Sequence, residues 1–141
     1  MAALSVKANP DNTGMAMDFV ATELKRYDFT AAARAEILIA VEEVFVNIAS
    51  YAYKPDEEGQ VNLSVMVDGK AVIRFEDSGL PFNPLEKTGP DLNVPIMERN
   101  IGGLGIHFVK NMMDEVEYVY AGGKNILTIA KGVSKPDKVA K

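Results

Sequence analysis

The sequence contains no cysteine and a single histidine, His107. Without cysteine there can be no disulfide bond, no thiolate nucleophile and no thiolate metal ligand, and one histidine excludes a metal site built from several imidazoles. No stretch approaches the roughly 20 consecutive apolar residues that a helix needs to cross a bilayer. Residues 1–12 also lack the apolar segment of a signal peptide. We therefore expect a cytoplasmic protein.

The charge balance is acidic, with a formal net charge of −5. Proteins that bind nucleic acids or anionic membrane surfaces usually carry a basic patch, so we expect neither kind of partner. Hydrophobic residues make up 48% of the sequence and charged residues 25%, as in ordinary globular domains. The 141 residues are enough for one domain with its own core. We place this domain at residues 1–133 and a polar C-terminal tail at 134–141.

The spacing of apolar residues predicts five strands and three helices. The most regular helical pattern extends over residues 31–52, where Thr30 is a suitable N-cap, and Asp68-Gly69 is typical of a hairpin turn. The predicted elements are a strand at 3–8, helices at 14–26, 31–52 and 104–113, and hairpins at 60–77 and 115–131. This order predicts an α+β fold, a two-layer α/β sandwich in which three helices cover one face of a mostly antiparallel mixed sheet.

Glycines are concentrated immediately before the third predicted helix, at Gly102, Gly103 and Gly105. Such a loop often binds phosphate, because backbone N–H groups and the helix dipole point toward the anion. A Walker A loop is excluded because no lysine and hydroxyl residue follow the last glycine, and a Rossmann fingerprint is excluded because Phe108 occupies its third glycine position. Taken alone, the glycines are equally compatible with a tight turn that begins a helix.

Two further stretches carry polar residues where chemistry is possible. Glu43 and Asn47 are four residues apart on the long predicted helix, so they share one face at the border of its apolar stripe. Asp77 and Gly79 end a predicted strand, where a carboxylate could accept a hydrogen bond from an exocyclic amine such as that of adenine. The alternatives are a solvated helix flank for the first pair and an ordinary Asp-Ser-Gly turn for the second.

In this order the three stretches resemble a known family. EEVFVN at 42–47, EDSGLPF at 76–82 and GGLGIHFVKNMMDEVEY at 102–118 resemble the N box and the two glycine boxes of the GHKL (histidine-kinase-like) ATPase superfamily. The resemblance covers nearly the whole chain and is greatest to the stand-alone anti-sigma-factor serine/threonine protein kinases. It implies the Bergerat ATP-binding fold, with ATP and Mg²⁺ as cofactors.

The resemblance also implies a role for each matching residue. Asn47 matches the asparagine that binds Mg²⁺, and Glu43 matches the general base. Asp77 matches the aspartate that accepts a hydrogen bond from the adenine amine, and Gly79 matches the glycine that leaves room for the base. Gly103 and Gly105 match the glycines whose N–H groups reach the phosphates, and together with Leu104 they would form the phosphate-binding end of the nucleotide site.

A segment of about two dozen residues, rich in proline and glycine, precedes the third helix, and loops of this length are usually lids or binding loops. By resemblance, residues 84–102 would be the ATP lid. Arg99 on this lid would contact the γ-phosphate or a partner, or simply be a solvated arginine. Two positions depart from the family pattern. Tyr51 stands where a histidine is frequent, and Asn125, with Thr128 further along, stands where a threonine near the adenine is frequent.

The function implied by the resemblance is transfer of the γ-phosphoryl group of ATP to a serine or threonine of a small anti-anti-sigma protein. The same protein would bind and sequester a sigma factor, and a homodimer is a further expectation. An alternative is a non-catalytic switch, in which bound ATP orders the lid and selects a protein partner. The ATP-binding fragment of a histidine kinase is disfavoured, because the sequence lacks a helical dimerisation domain with a phospho-acceptor and we interpret His107 as an ordinary helix residue.

Overall fold

A computed structural model describes residues 1–54, 56–86 and 101–132, with only the backbone of residues 86 and 101–104. Within these residues the chain forms five strands and three α-helices, together with 3₁₀ turns at Pro10–Asn12 and Pro84–Glu86. In chain order the elements are β1 (Ala2–Lys7), α1 (Thr13–Leu24), α2 (Ala31–Tyr51), β2 (Gln60–Val67), β3 (Lys70–Asp77), α3 (Ile101–Met112), β4 (Glu115–Ala121) and β5 (Lys124–Gly132).

The five strands form one sheet in the order β1-β2-β3-β5-β4. We expected a mostly antiparallel mixed sheet, and all four pairings among the described strands are antiparallel. Strand β3 is central. Its last residue, Asp77, lies opposite Val61 of β2 and Asn125 of β5. The sheet therefore brings a carboxylate and an amide from distant parts of the chain side by side.

Glycines close both hairpins, as the sequence predicts. Gly69 has a φ of +76°, and the Asp68 N–H donates to the carbonyl of Lys70 over 3.0 Å. Gly122 and Gly123 both have positive φ angles, 61° and 78°, which a tight type I′ turn requires and which residues with a Cβ rarely adopt. These turns set the registers of β2 with β3 and of β4 with β5, whereas Asp77 and Asn125 meet through the pairing of β3 with β5.

The helices cover one face of the sheet and share a single core with it. Helix α2 begins as predicted, because the Thr30 side chain accepts a hydrogen bond from the Ala33 N–H over 3.0 Å. The fully buried core side chains that join the two layers include Leu24, Ile37, Phe45, Leu63, Ile73, Phe75, Ile106 and Ile129. The predicted α+β two-layer fold is confirmed.

The third helix differs from its prediction at its start. It begins at Ile101 and not at residue 104, so Gly102 and Gly103 also lie within the helix and not in a loop before it. Helix propensity predicts the opposite, because glycine is a poor helix former. Packing outweighs propensity here, since α3 buries Ile106 and Val109 in the core and lies directly against α2.

Parts of the sequence predictions lie outside the described residues. These are most of the expected ATP lid, residues 87–100 with Arg99, and the expected C-terminal tail at 134–141. Of the proposed lid, residues 84–86 form a 3₁₀ turn and residues 101–102 belong to α3. None of the helices in the described part of the chain is long and apolar enough to cross a membrane.

Candidate functional site

A cavity lies between α2, α3, the end of β3 and strand β5. Its empty volume, including the part open to solvent, is about 380 Å³. Asn47, Asp77 and Asn125 line it, and they are also the three buried polar side chains among the described residues. Its apolar walls are Val44, Ile48, Ala52, Leu80, Phe82, Pro84, Ile106, Tyr118 and Leu127. Buried polar groups on apolar walls are typical of a site for a flat ligand with polar edges.

Asp77 is buried at the end of β3, and its two carboxylate oxygens differ in their contacts. Oδ1 accepts hydrogen bonds from the Gly79 N–H over 2.8 Å and from Asn125 Nδ2 over 3.0 Å. Oδ2 accepts none from the described residues, so it keeps its acceptor capacity for a ligand in the cavity. Burial raises the pKa of Asp77, and the hydrogen bonds from Asn125 and Gly79 partly oppose that rise.

Asn47 and Glu43 face α3 from helix α2. Asn47 is only 3% exposed, so it does not lie on a solvated flank. Its Nδ2 has no hydrogen-bond partner within residues 1–54, 56–86 and 101–132. A buried polar atom without a partner is costly, which indicates that a bound group completes the site.

Glu43, one turn earlier on the same helix, is half-buried. Burial raises the pKa of its carboxyl, and the neighbouring charge of Glu42 adds to the rise. A carboxylate with a raised pKa, next to the cavity-lining Val44, is a stronger proton acceptor than an ordinary carboxylate.

Gly105 is the residue of α3 that lies against the Glu43 carboxylate. A Cβ at position 105 would be 1.8 Å from Glu43 Oε1 and 2.8 Å from Cδ. Only glycine therefore leaves the carboxylate in its present position. The structure brings Glu43 of the first motif and Gly105 of the third motif into direct contact.

The sequence comparison agrees with this geometry. A family described as the histidine kinase-like ATPase domain matches residues 6–131. The chain belongs to this family.

Relatives within the histidine kinase-like ATPase family include several bacterial proteins named serine-protein kinase RsbW. The protein from Listeria monocytogenes serovar 1/2a is 26% identical over 129 residues, which is 88% of this chain and 82% of the relative. The protein from Bacillus mycoides is 29% identical over 97 residues, 65% of this chain and 60% of the relative.

Solved structures show the same histidine kinase-like fold. The chain that contains the RsbU and RsbW domains of Rv1364c from Mycobacterium tuberculosis superposes with a TM-score of 0.64 at 15% identity. The match covers 96% of this chain and about a third (34%) of the mycobacterial chain. A histidine kinase domain from Erythrobacter litoralis gives a TM-score of 0.52 at 18% identity, covering 90% of this chain and 64% of that one. At these identities the likeness shows the fold alone.

Gly79 of this histidine kinase-like domain makes a contact that sequence reasoning did not anticipate. A Cβ at position 79 would be 2.2 Å from the carbonyl oxygen of Ala52, just after the last residue of α2, and the Leu80 N–H donates to that same oxygen over 2.9 Å. The absence of a side chain at Gly79 therefore allows the loop after β3 to contact the end of α2. It stays a prediction that Gly79 leaves room for the adenine base, as do the phosphate contacts of Gly103 and Leu104.

Replacement of Gly79 by alanine is expected to destabilise the fold by about 2 kcal/mol or more, because a new methyl group would meet backbone atoms that cannot rotate away. Urea denaturation of the purified protein measures this effect. Gly14→Ala is the matched control, since a Cβ there would meet nothing within 4 Å. It should be neutral or stabilising by up to about 1 kcal/mol. Equal stability of the two variants would contradict the assigned contact.

Asn125 is a site residue whose contacts the sequence did not predict. It was noted as a departure from the family pattern, yet it makes more hydrogen bonds to this site than any other side chain described. Strand alternation could have found it, because Asn125 is in phase with the inward-facing Leu127 and Ile129. Thr128 is out of phase and lines a shallow groove on the outer face of the sheet, away from the cavity.

Proposed function

We propose that this protein is an ATP- and Mg²⁺-dependent serine/threonine protein kinase that acts as an anti-sigma factor. Its substrate would be a small anti-anti-sigma protein, and it would also sequester a sigma factor. The relatives named serine-protein kinase support this class of activity. The observation that carries the proposal is the Glu43 carboxylate, held against Gly105 one helical turn before the buried Asn47. A module that only binds ATP has no need of a base at that position.

The adenine would occupy the cavity between α2 and β5. Asp77 Oδ2 retains the acceptor capacity to bind an exocyclic amine, and Leu80 and Phe82 provide apolar wall. The phosphates would then extend toward the first turns of α3, where backbone N–H groups favour anions. Gly103, Leu104 and Gly105 are the proposed phosphate-binding residues.

The residues present fit Mg²⁺. The amide of Asn47 is buried and its nitrogen is unpartnered within the described chain, so the side chain is available to turn its oxygen toward a cation. No group of three or more His, Asp or Glu side chains comes together in that part of the protein. Mg²⁺ needs none, because it commonly uses one or two protein oxygens, several waters and the phosphates of its substrate. When bound, Mg²⁺ would neutralise charge on the ATP phosphates.

Glu43 would act as the general base. Its carboxylate would take the proton of a serine or threonine hydroxyl on the partner as the hydroxyl oxygen attacks the γ-phosphorus. The bond from the γ-phosphorus to the bridging oxygen would break, and ADP would leave. The rise in the pKa of Glu43 brings its basicity closer to the value that suits this transfer at neutral pH.

Other features belong to the same proposal. Residues 1–133 would be one kinase domain with its lid at about 84–102, followed by the tail at 134–141. Arg99 would reach the γ-phosphate or a partner from that lid. The protein would work in the cytoplasm, and a homodimer is its proposed assembly.

Label transfer from ATP tests the proposal. The purified protein is incubated with Mg²⁺ and γ-labelled ATP in a lysate of its source organism, and labelled proteins are separated by mass. One small labelled protein, absent when the kinase is omitted, is the expected result. ATP that raises the melting temperature without labelling any protein would instead support the non-catalytic switch. No labelling and no thermal shift would overturn the ATP site itself.

Replacement of Gly105 by alanine should reduce phosphotransfer by about tenfold or more while leaving the fold intact. The new methyl group would displace the Glu43 carboxylate, which is the mobile end of a side chain, and alanine favours a helix by up to about 1 kcal/mol over glycine. Label transfer and thermal melting measure the two effects. In a Glu43→Ala background the same change should cost almost nothing, because the displaced group is gone. Additive losses in the double variant would contradict the coupling.

A further inference from the structure

Asn125 forms a hydrogen-bonded hub between strand β5 and the loop that follows β3. Its Nδ2 donates to Asp77 Oδ1 over 3.0 Å and to the carbonyl of Leu80 over 2.9 Å, with the carbonyl of Gly79 at 3.4 Å. Its Oδ1 accepts from the Phe82 N–H over 3.1 Å and from the Tyr118 hydroxyl. The side chain is 6% exposed. One amide therefore joins the carboxylate to a loop that lines the cavity.

These contacts use the full hydrogen-bonding capacity of the amide. A side-chain amide offers two N–H donors and two acceptor lone pairs. The partners also fix the orientation of the amide, since Oδ1 faces two donors and Nδ2 faces three acceptor oxygens. In the reverse orientation the amide oxygen would face those three oxygens and could not bond to any of them. No capacity remains for a ligand. Asn125 therefore cannot form a hydrogen bond to a nucleotide without giving up an internal hydrogen bond.

The contacts instead constrain the groups that face the cavity. Asp77 Oδ1 is occupied, so the carboxylate is held with Oδ2 as its remaining acceptor. The loop at 79–82 is held at Gly79, Leu80 and Phe82, and the last two of these residues form cavity wall. A carboxylate oxygen fixed in this way attracts an amino group and repels a carbonyl oxygen at the same place.

We propose that Asn125 is a positioning residue that sets the preference of this site for 6-amino over 6-oxo purine nucleotides, by holding Asp77 with Oδ2 toward the base. The inference rests on the proposed function, since it requires a purine nucleotide in this cavity. Loss of the Asn125 donor would leave Asp77 Oδ1 held by the Gly79 N–H alone, which would loosen the orientation of the carboxylate. It would also remove a hydrogen bond that lowers the pKa of Asp77, so that a protonated Asp77 could donate to a 6-oxo group.

Binding of ATP and ITP to the full chain, measured by isothermal titration calorimetry with Mg²⁺, tests the inference. ITP carries an oxygen where ATP carries the amine. Wild type should bind ATP roughly tenfold to hundredfold more tightly than ITP, the worth of one hydrogen bond to a charged group. Asn125→Leu has nearly the same shape but lacks the donor, and its ratio should fall to about threefold or less, through weaker ATP binding with ITP binding unchanged or tighter.

Asn125→Thr is the second variant, in case the leucine variant does not fold. Its hydroxyl keeps one donor toward Asp77, so it should retain most of the ATP preference while losing thermal stability. Equal loss of ATP and ITP affinity in Asn125→Leu, which leaves their ratio unchanged, would indicate a merely structural role and overturn the inference. A collapse of the ratio in Asn125→Thr would overturn it as well, because that variant keeps a donor toward Asp77. Wild type that binds neither nucleotide would overturn the proposed function and the inference with it, whereas the other outcomes leave the proposed function standing.

Discussion

Replacement of Glu43 by glutamine is expected to lower the rate of phosphotransfer by about a hundredfold to ten-thousandfold, the usual contribution of a general base. ATP affinity should change by less than about threefold, because Glu43 lies against Gly105 and is not among the side chains that line the cavity. Glutamine has the same shape and cannot accept the proton. The rate at which γ-labelled phosphate reaches the partner, together with calorimetric ATP binding, separates the two effects.

Glu42 provides a matched control on the same helix. It has the same side chain one residue earlier, but it is exposed to solvent. Glu42→Gln should keep nearly the wild-type rate at neutral pH. Because the Glu42 charge raises the pKa of Glu43, its removal should move the acid limb of the pH–rate profile to lower pH. A Glu43→Gln variant that binds ATP and transfers phosphate at the wild-type rate would show that the base lies elsewhere.

Replacement of Asp77 by asparagine is expected to weaken ATP binding by about tenfold to hundredfold without loss of the fold. The amide oxygen can still accept from the Gly79 N–H and Asn125 Nδ2, so the internal contacts survive. The amide nitrogen would replace Oδ2 and oppose the adenine amine, donor against donor. Asp114→Asn is the control, because Asp114 also accepts a backbone hydrogen bond, from Gly132 over 2.7 Å, but does not line the cavity. Unchanged ATP affinity in Asp77→Asn would show that the adenine amine does not bind at Asp77.

The same variant carries a pH signature in the unliganded protein. Burial raises the pKa of Asp77 in the folded state. At pH values between the unfolded and the folded pKa, the folded protein therefore holds a proton that the unfolded chain has already released. The stabilisation is fully present below the unfolded pKa and is lost as pH rises through the folded pKa. Asparagine does not titrate. The melting temperature of Asp77→Asn relative to wild type should therefore increase from about pH 4 to about pH 8. A constant difference would mean that Asp77 titrates normally.

Much of the fold could be predicted from local patterns. Helix α2 was predicted at 31–52 and ends at Tyr51, because its cap residue and its apolar spacing both lie within the segment itself. The hairpin turns were predictable because positive φ angles nearly require glycine at Gly69, Gly122 and Gly123. The start of α3 was not predictable in this way. Propensity disfavours glycine in a helix, and only the packing of Ile106 and Val109 into the core compensates.

The candidate site could likewise be predicted only where a local pattern was enough. Sequence spacing alone put Glu43 and Asn47 on one helix face, since residues four apart are neighbours in any α-helix. It also placed Asp77 at the end of a strand. Strand alternation could have shown that Asn125 faces inward, but not that it pairs with Asp77, because the two residues come from distant segments. Gly105 is recognisable as a partner of Glu43 only once α2 and α3 are packed together.

The sequence by itself determined the α+β class and the order of the elements, because periodicity, capping and turn chemistry act over a few residues. Which polar residues belong to the site is what the resemblance to the family implies, and it stays a prediction. The tertiary structure alone decided how those residues are used. The antiparallel register of β3 and β5 sets Asn125 beside Asp77, and close packing makes Gly79 a contact for the Ala52 carbonyl. Hydrogen bonds and steric contacts between remote segments depend on distances that exist only after the sheet has formed and the helices have docked on it.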